Sequence, residues 1–138
     1  MLLVATLLLL GLESASLPER SAASVINDCW KGHAHSGMSA CVEGRAREAR
    51  ASLNQAEKAA KDSILASVDE PGFPEYRKNL LAKLSLSSSA FSKYLASECG
   101  YEASLAAKGN GSEDVRLACV AMLSEERAQL IRETHPVP

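Results

Sequence analysis

Val42, Ala46, Ala49, Leu53, Ala56 and Ala60 follow one another at alternating spacings of four and three residues, and Ile64 and Val68 continue the series. This is the apolar stripe of an amphipathic helix. The other faces carry Arg45, Arg47, Glu48, Arg50, Glu57, Lys58, Lys61 and Asp62. The many alanines favour helix and allow a neighbouring helix to approach closely. Pro71-Gly72-Phe73-Pro74 interrupts the stripe, because proline lacks an amide donor and disfavours helical geometry in the residue before it. Pro74 suits the first position of a second helix and Glu75 suits its positive end. Tyr76, Leu80, Leu84, Phe91, Leu95 and Cys99 form the expected inward face, and the serines around Ser88 leave room for a kink. Lys108 to Ser112 reads as a loop, with Ser112 capping a third helix that opens on Glu113 and Asp114. Val115, Cys119, Met122, Leu123, Leu130 and Ile131 supply its apolar face. The expected fold is all-α: an antiparallel bundle of about three long helices over residues 41–134. Residues 17–40, rich in Ser, Gly and His and without sustained period, are expected to form a tethered N-terminal loop, and residues 135–138 a tail.

The first twelve residues are apolar and uncharged, and Ser14-Ala15-Ser16 offers small residues for signal peptidase. Residues 1–16 are therefore expected to be a signal peptide, with cleavage as late as Ala23 the alternative. The apolar run is shorter than the roughly twenty residues that span a bilayer, and no later segment approaches that length. No stable membrane insertion is expected after cleavage. The formal charge of −2 is spread along the chain and aromatics make up only 4% of it, whereas a nucleic-acid binder shows a basic stripe interleaved with aromatics. No nucleic-acid partner is expected.

Four cysteines in an exported domain of this size argue for two disulfides, and three connectivities are open to them. Local pairing, Cys29 with Cys41 and Cys99 with Cys119, is preferred. An up-down-up bundle brings Cys41, Cys99 and Cys119 to one end, so Cys41 with Cys99 remains an alternative.

Several short segments stand in register with these cysteines. They are Asp28-Cys29 and Cys41, then Leu53-Asn54, then Phe91-Ser92-Lys93-Tyr94 with Cys99 five positions on, then Gly111-Ser112, Cys119 and Ser124 to Leu130. In combination they resemble the LprI-like lysozyme inhibitors, a family of small secreted bacterial four-cysteine helical domains. The resemblance runs from Asp28 to about Arg132. It implies structural roles for Leu53, Asn54, Phe91, Tyr94, Arg127 and Leu130, a bacterial source, a periplasmic or extracellular setting, and lysozyme inhibition as the activity. Phe91 stands where the family usually has Trp, and Leu95-Ala96 where it usually has Arg-Asp, which marks a divergent member.

No catalytic constellation emerges. The serines lack a nucleophile-elbow context, no glycine-rich loop follows a strand, and Glu125-Glu126 point in different directions on a helix. The chain is read as a binding protein without cofactor, not as an enzyme. Trp30, Lys31, His33 and His35, between the first two cysteines, are the candidate partner-binding residues, with lysozyme or another envelope protein as partner. Trp30 is also read as a cover for the core edge, and Arg127 as pairing with a helix carboxylate. Cys29, His33, His35 and Cys41 have the atom types of a metal site, but two thiols in an oxidising compartment favour a disulfide. Metal binding through His33 and His35 is a lesser alternative, as is an assembly role for exposed helix faces.

Overall fold

The computed structural model describes residues 21–69, 71, 73–106 and 111–135, and these form four helices. They are α1 (Ala22–Gly32), α2 (His35–Ala66), α3 (Tyr76–Leu105) and α4 (Ser112–Thr134). The expected all-α bundle with three long helices is what the chain builds. The signal-peptide segment 1–16 and most of the loop at Lys108 lie outside the described residues.

The largest difference lies in the segment expected to be a loop. Ser21 caps α1 through a reciprocal box: the Ser24 amide donates to Ser21 Oγ at 3.2 Å, and the Ser21 amide donates to Ser24 Oγ at 3.3 Å. Cys29 is buried, and Ala22, Val25 and Ile26 pack beside it against the bundle. Eleven residues with four inward-packed apolar positions make too short a helix to declare itself by periodicity, and its stability comes from packing. α2 likewise begins at His35, earlier than the stripe suggests, with Met38 and Cys41 packed on the same cluster.

The stripe on α2 is buried from Val42 to Ile64 as expected, but Val68 is 85% exposed. α2 stops at Ala66, where the Ser67 hydroxyl donates to the Ile64 carbonyl at 2.6 Å and caps the last turn. α3 then starts under a clasp from the preceding segment. Asp69 Oδ1 accepts from the Arg77 amide at 2.8 Å, and the Arg77 guanidinium reaches back to the Ser67 carbonyl at 3.3 Å. Tyr76 is 55% exposed rather than inward, since it lies about 100° round the helix from Leu95 on the packed face. α3 continues unbroken through its serines.

Three contacts define the directions. Ser39 near the start of α2 donates to Asp114 at the start of α4 at 2.9 Å, so these helices run parallel. Arg127 of α4 donates to Ser87 of α3 at 2.7 Å, and Cys99 bonds Cys119, so α3 runs antiparallel to α4. α4 is the central helix, packing on α1, α2 and α3 alike. Four consecutive residues, Ala118 to Ala121, are therefore buried, of which the one-sided face expected from the sequence includes only Cys119. Val115, Met122 and Leu123 are half-buried, and Leu130, at the edge of the groove between α3 and α4, is 53% exposed. Ser112 is the first residue of α4 and not its cap, a position held by Gly111.

The core is made of small residues. Ala46, Ala49, Cys99, Cys119, Val120 and Ala121 form one cluster, and Leu53, Ala56, Ala60, Ala128 and Ile131 another. Helices faced with alanine approach closely and bury little area per residue, so the covalent cross-links carry more of the stability than in a leucine-rich bundle.

Candidate functional site

The corner between α1 and α2 is built around a disulfide. Cys29, in the last turn but one of α1, bonds Cys41, with Cα atoms 5.7 Å apart. Between them the chain leaves helical geometry only at His33 and Ala34, both extended, and turns back into α2. The second bond joins Cys99 near the end of α3 to Cys119 in α4, with Cα atoms 5.5 Å apart. The preferred local pairing therefore holds, and the crossed alternative does not.

Trp30 is 49% exposed on the outer side of α1, next to the disulfide. Lys31 projects further, with 78% of its side chain exposed, and meets Asp28 at 3.9 Å. Both members of that pair are largely in water, so it restrains Lys31 only weakly. The His33 ring is held by Nδ1, which lies 3.1 Å from the Cys29 carbonyl and donates to it. That bond selects the tautomer and leaves Nε2 directed outward. His35 is the first residue of α2, and its side chain lies outside the described parts.

Gly37 contributes space. A Cβ there would sit 3.3 Å from His33 Cβ, so a larger residue requires His33 to yield by a few tenths of an ångström. Its composition had suggested only a flexible loop.

Both sulfurs are spent in the disulfide, and among the described residues no group of three or more His, Cys, Asp or Glu converges.

The residues singled out by the family resemblance are spread along the bundle. Leu53 is buried against Ala128 and Ile131. Asn54 is exposed at the edge of the groove between α2 and α3. Phe91 is half-buried and packs on the second core cluster, with the Arg127 guanidinium 5.5 Å from its ring centroid. The expected pairing of Arg127 with a carboxylate is replaced by this cation–π contact and the bond to Ser87, since no acid of α3 lies beside it. Tyr94 lies 6.4 Å from Phe91, centroid to centroid, and is half exposed. Near the start of α4, Arg116 hydrogen-bonds Glu113 at 2.8 Å and so holds that carboxyl below the ordinary glutamate range.

The exposed surface is unexpectedly aromatic. Of the chain's one Trp, three Tyr and two Phe, only Phe91 packs substantially; Trp30, Phe73, Tyr76, Tyr94 and Tyr101 are all about half exposed or more. The signal was available in the sequence, since a stripe of alanines leaves little core volume for large rings.

A small all-helical scaffold with two local disulfides and a clamped, aromatic-bearing corner defines a class: disulfide-stapled helical domains suited to an oxidising compartment. Among the described residues, no helix is long and apolar enough to cross a membrane. The model of the family described as lysozyme inhibitor LprI matches residues 29–130, from the first cysteine to Leu130, and the chain belongs to that family. No curated protein and no solved structure gave a significant match to the chain.

Proposed function

We propose that this protein is an exported, non-enzymatic inhibitor that occupies lysozyme sterically and protects the bacterial wall, with the α1–α2 corner as its binding edge. The observation that carries the reading is the family match across both disulfides. The corner supports it. Trp30 is a large, half-exposed anchor of the kind that dominates protein interfaces, and it is fixed one residue from a covalent clamp. A corner already held in shape loses little entropy when it enters a cleft. Lys31, His33 and His35 carry the donors and positive charge that suit a glycosidase cleft, which holds a pair of carboxyl groups.

Export follows the signal peptide of residues 1–16. Cleavage after Ser16 leaves the Ser21 cap and the first turn of α1 intact, whereas cleavage after Ala23 would remove Ser21 and Ala22, which packs into two core clusters. Mass spectrometry of the secreted protein distinguishes the two ends.

The decisive experiment is a wall-lysis assay with purified mature protein and lysozyme. Dose-dependent protection, reduced in the Trp30→Ala variant, is the expected result; full lysis at large molar excess of the folded protein overturns the reading.

A further inference from the structure

Three tyrosines and two leucines of α3, namely Tyr76, Tyr94, Tyr101, Leu86 and Leu105, are each between 50% and 70% exposed. At 3.6 residues per turn they fall within an arc of about 100° of the helix. That arc points away from the face on which Phe91, Leu95 and Cys99 pack, and Ala90 lies at its middle, also exposed. The arc also holds Asn79, Lys83 and three serines, but five half-exposed large apolar side chains along one side of a helix still mark a surface that is covered.

We propose that this face pairs with the same face of a second copy, the two α3 helices lying antiparallel about a two-fold axis at Ala90. The register follows from the sequence of α3. With Ala90 opposite itself, Leu86 lies level with Tyr94 of the second copy, and Tyr76 lies level with Ser104 and Leu105. The charges select the direction. The first half of α3 carries Arg77, Lys78 and Lys83, and the second half carries Lys93, Glu98 and Glu102; of these, Lys83 lies within the arc and Glu98 at its edge. Antiparallel pairing sets Lys83 beside Glu98 of the other copy, whereas parallel pairing sets Lys83 beside Lys83. The small side chain at the axis lets the two backbones approach while the flanking rings close over it. Covering these residues in both copies removes on the order of 1,000 Å² from water, which reaches the lower range of specific interfaces. The contact is isologous and closes on itself, so it gives a dimer and not a filament.

α1 makes no contact with α3, so the dimer leaves both α1–α2 corners outside the interface. The pairing is independent of lysozyme binding, and each can fail without the other.

The test is sedimentation equilibrium of the mature protein over a concentration series. A reversible dimer is expected, with its dissociation constant raised roughly tenfold or more by Leu86→Asp and by Lys83→Glu, and recovered in the double variant Lys83→Glu/Glu98→Lys. An Ala90→Cys variant, oxidised gently, is expected to give a covalent dimer on a non-reducing gel, while Ser104→Cys, far from the axis, does not. Circular dichroism of each variant confirms that the helices are retained. A protein that stays monomeric to roughly 0.5 mM, or a dimer indifferent to Leu86→Asp and Lys83→Glu, overturns the proposal. Monomeric protein whose α3 variants instead lose binding to lysozyme would overturn it too, and assign the face to that partner.

Discussion

Ser124 is fully buried in α4, and its hydroxyl has no hydrogen-bond partner. Leaving such a group unsatisfied costs about 1–3 kcal/mol, whereas removing the oxygen leaves only a small void. Ser124→Ala is therefore expected to raise stability by about 1 kcal/mol, read as an increased urea midpoint with unchanged slope. Trp30 makes the opposite case. It stands half in water on the outer side of α1, so Trp30→Ala is expected to change unfolding free energy by no more than about 1 kcal/mol. The same substitution is expected to weaken lysozyme inhibition about tenfold or more, as loss of an interface tryptophan usually does. A variant that loses stability and inhibition in proportion would mean that Trp30 acts as a core cover. Arg127 combines both kinds of role, lying over the Phe91 ring while it donates to Ser87 and so tying α4 to α3.

At the scale of elements, the contact between α2 and α4 is an alanine seam. Ala56, Ala60 and Ala128 are each no more than 4% exposed and meet in one cluster. Such a seam is sensitive to added volume more than to lost volume. Ala128→Leu is expected to destabilise the protein by about 1–3 kcal/mol through overpacking, measured by denaturant unfolding, and to leave helix content near native in circular dichroism. The turn between α2 and α3 depends instead on polar contacts. Asp69 accepts from the Arg77 amide at 2.8 Å and lies 4.0 Å from its guanidinium. Nothing in the periodicity of Pro71 to Pro74 indicates that Asp69, before the turn, would cap the helix after it.

For the whole molecule, the two disulfides close short loops at the end of the bundle where α1, the start of α2 and the start of α4 meet. Each spans a separation of 12 or 20 residues, for which loop closure contributes about 3 kcal/mol. Replacing Cys99 and Cys119 together by Ala is expected to lower unfolding free energy by about that amount. Replacing Cys29 and Cys41 is expected to lower it comparably and also to free α1, so that inhibition falls further than after the first replacement. Equal effects of both pairs on inhibition would argue against a binding edge at the α1–α2 corner.

Much of this molecule was legible without coordinates. The spacing from Val42 to Ile64 showed the body of α2 and the prolines Pro71 and Pro74 its separation from α3, because both act within a few residues of chain, although neither marked the ends at His35 and Ala66. The count of four cysteines likewise limited the pairings to three, and their positions favoured the local one. Only the tertiary structure decided the rest: that Cys29 joins Cys41, that residues 22–32 are helical, that α4 lies at the centre with Ala118 to Ala121 all enclosed, and that Tyr76 and Leu130 face outward. The physical reason is the same in each case. A short helix is stable only when something packs on it, and a residue's burial depends on how many neighbours surround its helix, which the chain's own period does not contain. For the same reason the sequence could name Trp30, while its place beside a closed corner came from the folded chain.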